Sequence, residues 1–434
     1  MKNYLNIFKN NNSIIVITEK LIVAVSRFIY LYFIIKQFGS AGQGDFSYVN
    51  TIWNVALIFI LFGFDVSIIY YISKKTFEVL NAIISNSIIF FIVTFVFGFI
   101  AFYFLQKYTP VFQKIPLNFY YISLSGAFIF LVRQILRSIL YGLGKFLYQF
   151  WGTVFVNITF LVTVLVFYVF KINNLGLLLS MFLLLTVISM IYWIVTINKL
   201  KWKFKFKVDK TLLFNQLKYG SKVYLNSILI SLNLRLDAFI IMYFLDSKKY
   251  GYYFVAVAIS EIVNYIPQAL TVVILNRVSK RKTIYDLSLF PEIVAILIFS
   301  ALLVGLFGSF LIPAIYGSEY IKAIIPLVIL VIGAVPMGLT TIASYYLLGI
   351  DKGKVLIFPS FFALIATVVF DLLLIPVWGI TGAAIASSIS YSIMSIITLL
   401  FLFKYGKVDR DKVLKCLVPS FSGAYILLKN KIKV

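Results

Sequence analysis

Long apolar stretches separated by short polar loops recur along almost the whole chain. A helix needs about twenty predominantly apolar residues to cross the hydrocarbon core of a bilayer, and windows of this length predict about twelve spans. The predicted spans are 14–36, 46–72, 83–105, 117–141, 150–170, 175–197, 220–244, 252–276, 290–312, 323–348, 355–376 and 380–403. A further apolar segment, 413–428, is short and contains Pro419 and Gly423, so we expect it to lie at the membrane interface. The pattern predicts an all-α integral membrane protein.

Composition supports this class and removes others. Hydrophobic residues make up 62% of the 434 residues, and only 12% are charged. The net charge of +24 could indicate a nucleic-acid partner, but most Lys and Arg residues occupy short loops between apolar stretches. We therefore interpret this charge as that of cytoplasmic loops, with no nucleic-acid partner.

The loop charges predict an orientation. Alternate loops hold most of the basic residues, including Lys74, Lys75, Lys145 and the run from Lys199 to Lys222. This asymmetry predicts that both termini are cytoplasmic, which agrees with an even number of spans. The N-terminal segment has no cleavage-site pattern before its apolar run, so the first span is expected to remain as an anchor.

The chain lacks the residues of several kinds of catalytic site. It has no histidine and a single cysteine, Cys416, so it cannot build a histidine metal site or a disulfide framework within itself. No phosphate-binding loop motif is present, and the loops predicted to lie outside are short. We therefore expect a carrier and not an enzyme, with no cofactor and no metal site.

A basic linker divides the chain into two similar parts. We predict an N-terminal six-helix lobe at 1–198, a cytoplasmic linker at 199–219, a C-terminal six-helix lobe at 220–404 and a cytoplasmic tail at 405–434. Loop patterns around Gly44 and Gly251 match at an offset of 207 residues, as do those around Gly142 and Gly349. Six spans is an even number, so the lobes are expected to share one orientation about a pseudo-two-fold axis along the membrane normal, with a cavity between them.

Charged residues lie inside the predicted spans, where each costs about 2.5–3.5 kcal/mol on insertion scales. The basic candidates for substrate binding are Arg27, Arg133, Arg137 and Arg235. The acidic candidates for ion coupling or charge pairing are Asp65, Asp237, Glu261 and Asp371. The repeat offset relates Arg27 to a position next to Arg235, so each lobe places an arginine in its first span. Arg133 and Arg137 share a helix face, so an anion or water is expected opposite them.

Within the predicted span 220–244, two polar stripes can be drawn on a continuous helix. Ser227, Ser231 and Arg235 form one stripe, and Asn226, Asn233 and Asp237 form another on nearly the opposite face. We predict that Arg235 faces the cavity and that Asp237 either pairs internally or binds a cation. Arg137, near the cytoplasmic end of its span, can equally be an interfacial residue whose charged end reaches water, and Glu19 and Lys20 are better explained in this way.

Several stretches together carry a family resemblance. "LKYGSKVYLNSILISLNLRLDAFIIMYFLDSKKYGYYF", "IPAIYGSEYIKAIIPLVIL" and "LLLIPVWGITGAAIASSISYS" resemble the polysaccharide-transporter branch of the multidrug/oligosaccharidyl-lipid/polysaccharide (MOP) exporter superfamily. The resemblance implies a two-lobed, twelve-helix flippase of the Wzx type in the bacterial inner membrane. Its substrate would be an undecaprenyl-diphosphate-linked oligosaccharide for O-antigen or capsule synthesis. Its candidate partners would be a polysaccharide polymerase and a chain-length regulator. Where this family often has Asn in span eleven, the chain has Asp371.

Two other functions remain open at this level. A cation-coupled drug exporter of the same superfamily would be expected to place acidic residues in the first-lobe cavity, where this chain has Arg27. A non-transporting scaffold of a polysaccharide assembly complex would not require basic residues at mid-depth in both lobes.

Overall fold

The structure is a computed structural model that describes residues 11–75, 77–113, 116–199, 205–265, 267–268, 271 and 290–406. Within these ranges, every regular element is a helix. The predicted interfacial segment 413–428 and most of the predicted tail lie outside the described residues. A helix satisfies its backbone hydrogen bonds internally, which is what a segment in lipid requires. The predicted all-α membrane architecture is therefore confirmed.

The helices are named here in chain order. They are α1 (Asn11–Leu61), α2 (Phe64–Lys75), α3 (Phe77–Tyr108), α4 (Pro110–Gln113), α5 (Leu117–Gly142), α6 (Phe146–Val169), α7 (Leu175–Asn198), α8 (Lys210–Asn233), α9 (Leu236–Phe244), α10 (Ser247–Ser260), α11 (Phe290–Tyr316), α12 (Ile324–Gly349), α13 (Ile357–Trp378) and α14 (Ile380–Tyr405). Short 3₁₀ turns lie at Glu261–Asn264, Ser318–Ala323 and Gly353–Leu356.

Ten candidate membrane spans occur in the described part of the chain. This count is lower than the predicted twelve for two reasons. The first two predicted spans share α1, whose hydrogen-bond pattern continues across a kink at Gly39, where φ is 71° and ψ is −175°. The predicted span 252–276 begins in α10, which has only 14 residues, and eight of the 25 residues of this span lie outside the described part of the chain. The other predicted spans match single helices or helix pairs.

The predicted span 46–72 contains a break that the apolar pattern did not predict. Helix α1 ends at Leu61, and α2 begins at Phe64 after Phe62 and Gly63 adopt φ angles of 47° and 70°. The backbone of Gly220 lies against this break, and a Cβ atom on Gly63 would come within 2.5 Å of the Gly220 carbonyl oxygen. Only glycine combines a positive φ at low cost with such a close backbone approach.

The predicted span 220–244 matches the candidate span Tyr224–Phe244, but the helix inside it is interrupted. Helix α8 ends at Asn233, and Arg235 precedes α9 with φ −137° and ψ −11°. The two polar stripes drawn along a single helix therefore do not continue from α8 into α9. Asp237 instead lies in the first turn of α9, where unpaired backbone N–H groups favour a carboxylate.

The chain forms two compact units, Met1–Phe254 and Val255–Val434. In the first unit, α2, α3, α5 and α7 pack around an apolar core that includes Phe64, Ile68, Leu131 and Trp193. Gly152 lies directly under the Trp193 indole, whose Nε1 donates to the Tyr148 carbonyl oxygen at 3.1 Å. The lobe bounds drawn from the sequence remain a prediction.

In the second unit, α14 packs closely on both α12 and α13. Ser388 on α14 donates to the Ile329 carbonyl oxygen at 2.9 Å, and Ser390 donates to the Ala363 carbonyl oxygen at 2.8 Å. Gly333 lies against Ser388, where a Cβ atom would come within 2.5 Å of the Ser388 hydroxyl. Small residues and interhelical hydroxyl bonds are how helices associate in lipid, where burial of apolar surface gives little driving force.

The glycines Gly44 and Gly251, which the sequence repeat relates, lie against each other's segments in the first unit. A Cβ atom on Gly44 would overlap the Ser247 carbonyl group. A Cβ atom on Gly251 would lie 2.6 Å from the Ser40 carbonyl oxygen and 3.3 Å from the Gly44 amide nitrogen. The second part of α1 and the start of α10 therefore meet backbone to backbone.

Candidate functional site

A cluster of charged and hydroxyl side chains surrounds Tyr250 at the start of α10. Thr51 on α1 and Tyr250 share a hydrogen bond of 2.8 Å between their hydroxyl oxygens. The charges of Arg27, Arg235 and Asp237 all act on the Tyr250 hydroxyl. The two arginines that the repeat offset related therefore both contribute to the electrostatic environment of one hydroxyl group. These five residues, with Tyr253 and Phe254, are called the central cluster.

Arg27 is half-buried and held by an aromatic ring. Its guanidinium carbon lies 5.0 Å from the centre of the Phe254 ring. A cation held over a ring in this way gains about 0.5–2 kcal/mol. A cation–ring contact does not occupy a hydrogen-bond acceptor, so the N–H donors of the guanidinium are not used by the ring.

Asp237 is buried, with hydrogen bonds to both carboxylate oxygens. The Tyr253 hydroxyl donates to Oδ2 at 2.6 Å, and the Ala238 amide donates to Oδ1 at 2.7 Å. The side chain is only 5% exposed. The charge of the Asp237 carboxylate acts on the Tyr250 hydroxyl together with the charges of Arg27 and Arg235. Internal pairing and cation binding both stay predictions for this residue.

A second charged cluster joins α1, α5 and α6, and is called the Glu19 cluster. Glu19 accepts from Gln149 Nε2 at 3.1 Å and pairs with Arg137 at 3.5 Å. Arg137 also donates to the Tyr141 hydroxyl at 3.1 Å, and the Arg133 guanidinium lies between the Phe130 and Trp193 rings at 5.7 and 5.8 Å. The anion expected opposite Arg133 and Arg137 is therefore Glu19.

The interfacial interpretation of Glu19 is wrong. Its side chain is 3% exposed, because α5 and α6 cover this face of α1. With one carboxylate and two guanidinium groups, the cluster has a net charge of +1. Among the described residues, the Nε atoms of Arg133 and Arg137, Oε2 of Glu19 and Oε1 of Gln149 have no hydrogen-bond partner. Buried polar atoms in this state are costly and are commonly satisfied by water or a ligand.

Removing the Glu19 charge is expected to destabilise the protein. Glu19→Gln keeps a hydrogen-bond partner for Gln149 but leaves two guanidiniums without a counter-ion. Loss of one member of a buried pair costs about 3–5 kcal/mol, and because the Arg137 side chain is 36% exposed, we expect roughly 2–3 kcal/mol. The measurement is the melting temperature of the purified protein.

Two further variants make this test specific. Lys20→Gln removes an exposed charge at the next position and should leave the melting temperature unchanged. Glu19→Gln combined with Arg137→Gln removes both charges and should recover part of the loss. A Glu19→Gln protein as stable as the unmodified chain would show that the pair has no structural role.

The other acidic candidates lie apart from these clusters or in the second unit. Asp65 on α2 is half-buried and accepts from Gln134 Nε2 at 3.0 Å. Glu261 begins the 3₁₀ turn after α10, and Asp371 is fully buried on α13. The structure thus places Asp237, but not Asp65, in the central cluster.

Sequence reasoning missed the hydroxyl groups of the central cluster. Tyr250 and Tyr253 belong to the stretch "KKYGYYF", which marked the repeat but was not examined for side-chain chemistry. Both side chains are buried, at 3% and 2% exposure. Two tyrosines three residues apart, next to the glycine that marked the repeat, could have been used to predict a helix face with hydroxyl groups.

Comparison with known proteins gives a family and a fold. The family described as "Polysaccharide biosynthesis protein" matches residues 10–278. No curated protein matches the chain. A solved structure of the lipid II flippase MurJ, in an inward closed conformation, is similar with a TM-score of 0.73 and 16% identity, over 93% of this chain and 91% of that one.

Two transporters of the MOP superfamily have related folds. An inward-facing multidrug resistance MATE family transporter gives a TM-score of 0.70 at 14% identity, over 92% of this chain and 96% of that one. A MOP superfamily transporter from Pyrococcus furiosus, described as having a binding pocket of reverse polarity, gives a TM-score of 0.58 at 15% identity, over 91% of this chain and 94% of that one. These likenesses show the fold that the sequence resemblance implied.

Proposed function

This chain belongs to the polysaccharide biosynthesis protein family, and we propose that it is a flippase for undecaprenyl-diphosphate-linked oligosaccharide units. It would move them from the cytoplasmic to the outer leaflet of the bacterial inner membrane, for synthesis of a surface polysaccharide such as O-antigen or capsule. In this proposal both termini are cytoplasmic, and the chain transports its substrate without altering it chemically.

The observation that carries the proposal is that the charges of Arg27 and Arg235, together with that of Asp237, all act on the Tyr250 hydroxyl. The two arginines come from helices that are far apart in sequence, and each would otherwise be costly inside a membrane. A diphosphate offers oxygen acceptors to planar guanidinium groups, which bind such groups through paired N–H donors. A substrate with two negative charges would therefore be attracted to this part of the protein.

The neighbouring groups suit the rest of such a substrate. The hydroxyls of Thr51 and Tyr250 can donate to or accept from phosphate or sugar oxygens. Asp237 is tied to Tyr253 and limits the net positive charge of the central cluster. The prenyl chain would remain in the lipid bilayer, because an apolar chain has a lower free energy in hydrocarbon than in water. The protein's part is binding and reorientation of the substrate.

The membrane potential can assist this movement. Two negative charges moving outward, from a negative interior, gain on the order of 4–5 kcal/mol per 100 mV if the protein's own charges do not compensate them. Coupling to a cation gradient is therefore not required by the energetics. The two arginines argue against the rival of a cationic-drug exporter, since they would repel such a substrate.

The experiment is a flipping assay in liposomes that contain the purified protein and a fluorescent undecaprenyl-diphosphate oligosaccharide. The protein should accelerate the appearance of label in the opposite leaflet, and a neutral prenyl glycoside of equal length should not be accelerated. A drug cation moved in preference to the diphosphate lipid would support the exporter instead. Absence of transport of either compound would favour a scaffold.

A further inference from the structure

An apolar groove opens on the first unit between α3, α5 and α7. It has a volume of about 470 Å³ and is lined mainly by isoleucines, including Ile84, Ile88, Ile135 and Ile194. This volume falls within the roughly 300–1,000 Å³ of sites that bury small ligands. Its lining includes one exposed polar residue, Asn198, which is the last residue of α7. The groove therefore ends where the chain leaves α7 for the basic linker.

The described end of that linker, residues 205–209, is hydrogen-bonded to side chains in the first turns of α3. The amide of Lys205 donates to Asn81 Oδ1 at 2.9 Å, and the amide of Lys207 donates to Ser85 Oγ at 2.9 Å. Two further bonds, of 3.2 and 3.0 Å, join the backbone of Asp209 to the Asn86 amide group. Residues 205–209 thus form a fixed extended segment, called the strap.

The strap presents charge and apolar surface in alternation. Successive side chains of an extended segment point to opposite faces, so Lys205 and Lys207 share one face, and Phe206 and Val208 share the other. All four are exposed, and Phe206 is 61% exposed. Segments that contain both aromatic residues and lysines are typical of the membrane interface.

The position of the strap along α3 also fits the interface. Helix α3 has 32 residues, which corresponds to about 48 Å at the helical rise of 1.5 Å per residue. The hydrocarbon core of a bilayer is about 30 Å thick, so a helix of this length extends past the core into the headgroup region. Asn81, Ser85 and Asn86 all lie in the first third of α3. The strap is therefore bound to the part of α3 that lies nearest one membrane surface.

The strap has an excess of positive charge, because residues 205–209 hold two lysines and one acidic residue, Asp209. Asp209 is already engaged, because its Oδ1 accepts from the Leu212 amide at the start of α8. Each lysine near an anionic surface contributes about 1 kcal/mol of attraction. The complementary partner is an anionic headgroup.

From these observations we infer that the groove and the strap together bind an anionic phospholipid of the surrounding leaflet. One acyl chain occupies the groove between α3, α5 and α7, and the phosphate lies on the strap lysines. The prenyl substrate is a less suitable occupant, because its diphosphate is assigned to the central cluster on α1, α9 and α10, which do not line the groove. The exclusion of the prenyl substrate rests on the proposed function, whereas the inferred contact of the strap lysines with an anionic headgroup does not.

The test is native mass spectrometry of the full chain with phosphatidylglycerol or phosphatidylcholine of identical acyl chains. The unmodified protein should retain phosphatidylglycerol at lower concentration than phosphatidylcholine. Lys205→Gln with Lys207→Gln should weaken phosphatidylglycerol retention roughly 30-fold, which corresponds to about 2 kcal/mol. Lys107→Gln with Lys249→Gln removes two lysines elsewhere and should have no such effect.

Filling the groove tests its part separately. Ile194→Trp should abolish retention of the bound phospholipid, whereas Ile191→Trp, on the same helix but outside the groove lining, should not. Ile88→Phe serves as a second groove variant if Ile194→Trp does not fold, as judged by its melting temperature without lipid. Unchanged retention in the folded groove variants, or equal retention of the two phospholipids by the unmodified protein, would overturn the inference. Preferential retention of undecaprenyl phosphate in the groove would also overturn it, by assigning the site to a prenyl chain.

Discussion

Arg27→Ala and Arg235→Ala are each expected to abolish surface polysaccharide while the protein accumulates normally. Each change removes a guanidinium that acts on the Tyr250 hydroxyl and that we assign to the substrate diphosphate. A hydrogen bond to a charged group contributes about 1.5–3 kcal/mol, so the loss of paired bonds should slow flipping by about 100-fold or more. The measurements are polymer at the cell surface, protein level and the flipping rate in liposomes.

Conservative and matched variants separate substrate binding from a general effect of charge. Arg27→Lys keeps a point charge but loses the planar fork, so it should retain part of the rate. Lys36→Ala removes an exposed cation from the same helix and should flip at the normal rate. If Arg27→Ala and Arg235→Ala both support normal polymer, the diphosphate binds elsewhere in the protein.

Asp237→Asn is expected to lower the amount of protein in the membrane without changing how transport responds to an ion gradient. The amide can still accept from Tyr253, but the counter-charge beside Arg27 and Arg235 is lost. Removal of one buried charge partner costs about 3–5 kcal/mol. This is a large part of the 5–15 kcal/mol by which proteins are typically stable.

The contrasting role for Asp237 gives a different result in the same experiment. If Asp237 binds a proton or sodium during transport, Asp237→Asn should accumulate normally and lose its dependence on the gradient. Tyr253→Phe removes only the hydroxyl donor and should cost about 1 kcal/mol. Asp246→Asn changes an exposed carboxylate next to Lys249 and is the matched control.

The helices could be predicted from the sequence, but their breaks could not. Apolar length is a local property, so windows of about twenty residues located most spans. The break at Phe62 and Gly63 depends on a second segment, because the Gly220 backbone lies against it. The break around Arg235 contains no proline or glycine. Local sequence therefore gave no reason to interrupt the predicted helix there.

The candidate site was predictable only where the repeat supplied information. The offset between lobes singled out Arg27 and Arg235, and the structure places both near Tyr250. Burial of Glu19 depends on Gln149 and Arg137, which lie more than a hundred residues away in sequence. A single carboxylate near the start of an apolar span is indistinguishable, by sequence alone, from one that reaches water.

The backbone contact at Gly44 and Gly251 bears on how the protein could work repeatedly. Side chains that interlock lose rotamer freedom when they meet and must find their places again each time. Glycines have no rotamers, so forming or separating this contact involves no such loss or search. The second part of α1 and the start of α10 can therefore form the same backbone contact each time they come together. The rate at which they separate would be set by the movement of whole helices and not by side-chain rearrangement.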